Sequence, residues 1–324
     1  MNSRHPRAAL VALTLLAATA LASCDDGENG SGEPDSSETL LVEHDLGTAE
    51  IPADPQRVFV MPSGAIELAI SLDLEMVGSP MWGGIEEFPE HISSHLPEEF
   101  STAGTDAEPS FEDIAALEPD LIVGDDRIAE HLERLEGIAP VVGFDREDAN
   151  GRVDWRFQLS RLAEILELEE RANAVLADAE QRVAEVDATI PDNGETIAAL
   201  RVRPEEVRFY TTTSSLSSGV LQNLEHITLA DPDAGDLHEA GLWATFSSEN
   251  LLDITTDWLY LVPDSPADLE ALRSTGVWDR LPAVQAGQVC VAEDLGTWIL
   301  NGPLATQIIA DEVEACLGEA GSAE

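Results

Sequence analysis

Residues 153–186 read VDWRFQLSRLAEILELEERANAVLADAEQRVAEV, the longest stretch from residue 50 onward without glycine or proline. Apolar residues recur there at helical spacing: Trp155, Leu159, Leu162, Ile165, Leu166 and Leu168, then Ala172, Val175, Leu176, Ala179 and Val183. One unbroken helix over this stretch would reach about 50 Å, the length of two small lobes. Pro191-Asp192-Asn193-Gly194 stops it. On its amino-terminal side, β-rich runs at 57–61, 76–78, 120–124 and 140–144 alternate with helical runs at 65–72, 111–117 and 128–135. On its carboxyl-terminal side the rhythm resumes with 196–202, 207–210, 251–254, 257–262 and 288–291, ending in a helix to about residue 317. Short strands alternating with helices imply parallel sheets covered on both faces. The reading is α/β: two Rossmann-like lobes, at 40–151 and 191–324, joined by a single long helix at 152–190, with a ligand cleft between them.

Composition narrows the chemistry. The 324 residues carry 64 acidic side chains against 16 cations, every cation is Arg, and the net charge is −48. Without lysine there is no Walker A loop, no Schiff-base enzyme and no Ser-x-x-Lys hydrolase. The charge argues against nucleic acid as a partner, since neutralising phosphates needs a basic face. At the amino terminus, Arg4 and Arg7 precede an apolar run at 8–22 that is too short to span a bilayer and reads as a secretory signal. Leu21-Ala22-Ser23-Cys24 resembles the lipobox of bacterial lipoproteins. It implies a signal peptide at 1–23, cleavage before Cys24 and a lipid on that thiol. The following residues, 24–39, rich in Gly, Ser, Asp and Glu, read as a flexible tether.

The two halves share a pattern at one offset. Glu112, Ile114, Leu117, Asp120 and Ile122 match Glu249, Leu251, Ile254, Asp257 and Leu259, each 137 residues on, and Ser110 matches Ser247. Each unit reads as a Ser-capped helix, an Asp and a buried strand, which points to an internal duplication.

Four segments then carry a family resemblance: Gly47-Thr48-Ala49-Glu50-Ile51-Pro52-Ala53-Asp54-Pro55-Gln56-Arg57-Val58, residues 111–124, Trp278-Asp279-Arg280-Leu281-Pro282-Ala283-Val284-Gln285-Ala286-Gly287-Gln288-Val289, and Gly302-Pro303-Leu304 onward. Together they resemble the substrate-binding proteins of bacterial ABC importers for ferric siderophores, haem and cobalamin. The resemblance implies two α/β lobes on one long helix, no catalytic role and no cofactor. It also implies a monomer held to the outer face of the cytoplasmic membrane, which takes a ferric siderophore and passes it to a permease driven by a separate ATPase. Glu167 stands where such proteins commonly have a glycine in the long helix, and Cys290 where an aromatic or aliphatic residue is usual.

Ferric siderophores are often anionic, and Arg offers a planar fork for carboxylate or catecholate oxygens. Arg127 follows the strand at 121–124, at the carboxyl edge where α/β sheets bind ligands. The resemblance places Arg127 and Arg201 in the cleft, with Trp82 and Trp298 as cleft aromatics. It places Glu112 and Glu249 at the permease, one on each lobe. Tyr210 keeps a haem ligand open as an axial donor. Arg203 and Arg208 read as surface pairs, and Trp155, Trp243, Trp258 and Trp278 as core. His91 and His95 have the i, i+4 spacing of a metal pair but read as a solvated helix, and the His distribution does not support a Zn²⁺ or Mn²⁺ receptor. An α/β hydrolase would need a Gly-x-Ser-x-Gly elbow, which is absent. Cys290 and Cys316 would staple the last strand to the last helix in an oxidising exterior, or else stay as two buried thiols.

Overall fold

The computed structural model describes residues 38–214, 219–247, 250–300 and 302–318. A hairpin of β1 (Thr39–His44) and β2 (Gly47–Pro52) leads into five strands: β3 (Val58–Met61), β4 (Met76–Met81), β5 (Ser101–Thr105), β6 (Leu121–Asp125) and β7 (Val141–Phe144). They form a sheet in the order β5-β4-β3-β6-β7, parallel throughout. Continuous apolar runs suit strands covered on both faces. Val58 and Val60 enter one core with Leu121 and Val123, while Phe59 and Met61 enter the opposite one with Ile122.

The second sheet contains β8 (Glu195–Arg203), β9 (Glu206–Tyr210), β10 (Ile227–Leu229), β11 (Asp236–Leu237), β12 (Trp243–Phe246), β13 (Trp258–Pro263) and β14 (Val289–Val291). Its order is β11-β12-β9-β8-β13-β14, with β10 beside the first residues of β8. The parallel set β10-β8-β13-β14 repeats the arrangement β4-β3-β6-β7 of the first lobe. The all-parallel expectation needs correcting here, because β9, β12 and β11 add an antiparallel flank.

The duplication reaches individual side chains. Asp120, before β6, accepts from the Gln56 and Arg57 N–H groups at 2.8 and 2.9 Å. Asp257, before β13, accepts from the Thr196 N–H and hydroxyl at 2.8 and 2.9 Å. Each Asp ties the start of its strand to the start of the neighbouring one. Ser110 caps the helix Phe111–Ala116 by accepting from the Asp113 N–H. In the second half the corresponding segment is only a 3₁₀ turn, Leu251–Asp253, and Ser247 bonds the Asn250 side chain at 3.1 Å. Glu249 lies outside the described residues.

The long Gly- and Pro-free stretch is helical but not unbroken. It forms Trp155–Leu166 and Glu169–Asp187, separated where Glu167 adopts φ 58° and ψ 38°. A left-handed residue ends a helix by freeing its carbonyls for a capping turn, and the Glu167 N–H returns to the Ala163 carbonyl. Glycine takes that conformation at lower cost, so Glu167 makes the break at a strain of about 1 kcal/mol. The second helix spans the junction: Ala172 and Ala179 pack in the first lobe's core, Val183 and Val186 in the second's.

The last helix, Pro303–Val313, packs against Glu169–Asp187 and buries Ala305, Ile309, Ala310 and Val313 in the second core. Its first turn is held by the first lobe. Glu67, 1% exposed on the helix Ile66–Ser71, accepts from the Leu304 and Ala305 N–H groups at 2.9 and 3.0 Å. Its other oxygen meets His91 Nε2 at 2.9 Å. Gly302 is required for this approach, since a Cβ there would stand 2.7 Å from Glu67 Cβ and Oε2. The solvated-helix reading of His91 is therefore wrong. Its helix, Glu90–Ser93, is one turn long, the imidazole is buried against Glu67, and His95 Nδ1 turns back to the His91 carbonyl at 2.9 Å. Cys290 of β14 and Cys316, in the π-helical turn Glu314–Gly318 that continues the last helix, are joined by a disulfide, their Cα atoms 5.8 Å apart. Among the described residues no group of three or more His, Cys, Asp or Glu is placed to hold a metal, and no helix is long and apolar enough to cross a membrane.

Candidate ligand-binding cleft

Five strands of the first sheet end at one edge, and each is followed by a residue of the same cavity. Ser63 comes after β3, Trp82 after β4, Asp106 after β5, Arg127 after β6 and Arg146 after β7. Loops at the carboxyl ends of parallel strands converge there because the strands all run the same way. The second lobe supplies the opposite wall from its antiparallel flank. Arg201 of β8, Arg208 and Tyr210 of β9 and Trp243 of β12 project from one face, while Leu200, Val202, Val207, Phe209, Ala244 and Phe246 on the other fill a core. Trp155 and Gln158 come from the helix Trp155–Leu166, and Trp298 comes from the segment before the last helix. The cavity has a volume of about 460 Å³.

Every cleft residue expected from the sequence and its family resemblance lines this cavity: Trp82, Arg127, Arg201, Tyr210 and Trp298. They differ in how far they are committed elsewhere. Arg127 is half-exposed, its Nε and Nη2 donating to the buried Asp125 carboxylate at 3.0 and 2.6 Å. Arg201 is 8% exposed at the side chain and pairs with Asp264, Nε to Oδ1 at 2.6 Å and Nη2 to Oδ2 at 3.2 Å. Burial works to lower the Arg201 pKa, but the Asp264 and Tyr210 oxygens more than offset it, so the guanidinium stays charged. Arg201 also lies over the Trp82 ring, 5.2 Å from its centroid, a contact that crosses from one lobe to the other. Trp298 is buried, 4.6 Å from the Tyr260 ring, with Nε1 donating to Glu312 at 3.1 Å. It forms the back of the cavity more than a free platform.

Three readings change. Arg208 does pair at the surface, donating Nε to Glu206 at 2.8 Å, but it faces the cavity and stacks 4.6 Å over Trp243. Trp243 is not core: it is half-buried in the cavity wall, between Arg208 and the His238 ring stacked at 3.9 Å. Trp155 is buried in the first core yet also reaches the cavity, whereas Trp258 and Trp278 are core alone. Arg146 was legible by the strand-end rule that picked Arg127, since it follows the run at 140–144. Arg208 and Trp243 depend on cross-strand pairing, Trp243 opposite Tyr210, which no local pattern announces.

The cavity is electrically unlike the rest of the chain. Four of the 16 Arg line it, against one carboxylate, Asp106, whose oxygens accept from the Ser63 N–H at 2.8 Å and hydroxyl at 2.6 Å. A cleft between two α/β lobes, rich in guanidinium and indole, has the chemistry to hold an anionic or ring-bearing ligand.

The family described as periplasmic binding protein matches residues 72–294. The chain belongs to that family. Periplasmic binding proteins of this kind are the ligand-capturing components of transporters and not enzymes. The probable siderophore-binding lipoprotein YfiY of Bacillus subtilis is 26% identical over 93% of this chain and 94% of that protein. Among solved structures, Staphylococcus aureus SirA complexed with staphyloferrin B is similar with a TM-score of 0.69 and 22% identity, covering 86% of this chain and 98% of that one. A periplasmic binding protein of the FhuD fold family, a component of a Fep/Fec-like ferrichrome ABC transporter from Bacillus subtilis, is similar with a TM-score of 0.71 and 20% identity, covering 86% and 99%.

Proposed function

We propose that this periplasmic binding protein captures an anionic ferric siderophore in the Arg-lined cleft and delivers it to an ABC permease. The observation that carries the reading is the concentration of Arg127, Arg146, Arg201 and Arg208 around one cavity in a chain of net charge −48. Four guanidiniums face the cavity while their carboxylate partners lie outside its lining, so an anion there meets donors where the rest of the chain repels it. Bidentate guanidinium contacts and indole faces suit the carboxylate or catecholate oxygens and rings of such chelates. The relatives that bind siderophores support the same assignment.

The test is a tryptophan-fluorescence titration against ferric chelates of carboxylate, catecholate and hydroxamate type, with haem and cobalamin beside them. Anionic ferric chelates are expected to quench saturably, to bind at least about tenfold tighter than a neutral hydroxamate chelate, and to weaken as salt rises. Binding of haem or cobalamin alone, or of nothing, would overturn the reading.

Delivery needs a docking face and an anchor. Glu112, exposed on the first turn of Phe111–Ala116, is assigned to contact the permease, with Glu249 as its counterpart on the second lobe. A lipid on Cys24 is assigned as the anchor, at the head of a stretch that lies outside the described residues. Cys24→Ser is expected to leave the protein folded and release it from the membrane fraction. Retention on membranes after a high-salt wash would refute the anchor.

A further inference from the structure

The second lobe sets two guanidiniums side by side. Arg201 of β8 and Arg208 of β9 are direct cross-strand partners in an antiparallel ladder, and both face the cleft. Like charges directly opposite each other destabilise such a ladder. Something must hold them together before an anionic ligand arrives.

Two carboxylates do so. Asp264, just beyond β13, accepts from Arg201 Nε and Nη2 and also from Arg203 Nε at 3.3 Å. Glu206 accepts from Arg208 Nε at 2.8 Å and from Arg203 Nη1 at 2.8 Å. Arg203 therefore joins the two pairs into one chain of contacts: Arg201, Asp264, Arg203, Glu206, Arg208. Rings bound the same two guanidiniums on their faces, Trp82 against Arg201 and Trp243 against Arg208. Each is fixed in its plane by a carboxylate at Nε and on its face by an indole. The Nη1 end of each stays outside its carboxylate pair.

We propose that Asp264 and Glu206 are positioning residues that hold Arg201 and Arg208 as a two-pronged receptor for adjacent oxyanions of one ligand. The inference rests on the reading of the cleft as a ferric-chelate site, and it names what that site recognises: two neighbouring anionic oxygen groups, not a diffuse negative charge. The two alternatives predict opposite signs. If only net charge mattered, removing a carboxylate beside the cleft would make it more positive and tighten anion binding. If the fixed geometry matters, the same change lets the guanidinium swing away and binding weakens.

The test uses Asp264→Asn, Glu206→Gln and Asp264→Glu in the full-length protein, with ferric citrate as the probe and two readouts. The first is affinity by tryptophan fluorescence beside the melting temperature. The second is the exchange protection of the arginine Nε–H signals by NMR without ligand. The expected result is a loss of about tenfold or more in affinity for Asp264→Asn and Glu206→Gln at a nearly unchanged melting temperature. Protection of the Arg201 and Arg208 Nε–H signals should fall in parallel, and Asp264→Glu should recover most of both. Equal or tighter binding in either neutral variant overturns the assignment of that residue. If Asp264→Asn does not fold, Glu206→Gln, at a half-exposed site, decides. If the wild-type protein does not bind ferric citrate, that failure counts against the ferric-chelate reading, and the Nε–H signals decide the positioning role on their own: unchanged protection in the variants overturns it.

Discussion

Glu67→Ala is expected to destabilise the folded chain by about 3–5 kcal/mol, the cost of removing one partner from a buried charged network. The variant would strip the acceptor from the Leu304 and Ala305 N–H groups and from His91, and leave a hole at a site that is 1% exposed. Because those amides start the last helix while Glu67 belongs to the first lobe, the loss falls on the junction between the lobes. Chemical denaturation measures it directly, and a loss below about 1 kcal/mol would mean that the helix start finds other partners. Glu67→Gln keeps an acceptor oxygen and is expected to cost much less. Burial raises the Glu67 pKa above the ordinary 4.5, with His91 and the two amides acting against the rise. A carboxyl whose folded-state pKa is raised stabilises in its protonated form, so its contribution is present below the unfolded value and is lost as pH rises through the folded one. Glutamine imitates the protonated form at every pH. The stability of wild type relative to Glu67→Gln should therefore fall as pH rises above the ordinary carboxylate value of 4.5.

Arg201→Ala is expected to weaken binding of an anionic ferric chelate by about 2–4 kcal/mol, more than Arg127→Ala at about 1.5–3. Arg127 is half-exposed, so solvent screens its charge, whereas Arg201 is buried, contacts Trp82 across the cleft and is a partner of Asp264. Its removal loses a donor and leaves the Asp264 carboxylate, now held by Arg203 alone, facing an anion. Arg134→Ala provides the control, because that guanidinium lies over Phe111 at 3.6 Å and does not line the cleft. Titration of the three variants distinguishes local recognition from general charge: equal losses in all three, or no loss in the two cleft variants, would remove the site assignment.

The parallel strands were legible because strands covered on both faces have to be apolar without interruption, as in 58–61 and 121–124. The duplication was legible through a few fixed positions, and Asp120 and Asp257 now have a physical reason to recur: each ties two strand starts together. The helix break at Glu167 was not legible, since no glycine or proline marks it and a glutamate in the left-handed region leaves no trace in hydrophobic periodicity. The cleft was half legible. Residues after parallel strands follow from topology, so Trp82 and Arg127 could be placed and Arg146 could have been. Those on β9 and β12 depend on antiparallel register, which is set by tertiary pairing and not by local pattern.

The disulfide between Cys290 and Cys316 also bears on the far end of the chain. The sequence has only three cysteines, and two of the three pairings available to them would consume Cys24. By engaging each other, the two carboxyl-terminal thiols leave the amino-terminal one free to be acylated. An acylated Cys24, in turn, can no longer intrude by thiol–disulfide exchange. On the proposed anchoring, acylation at Cys24 and oxidation of Cys290 with Cys316 exclude each other's mispairings, and Cys290→Ser or Cys316→Ser alone is expected to leave one thiol able to compete for Cys24.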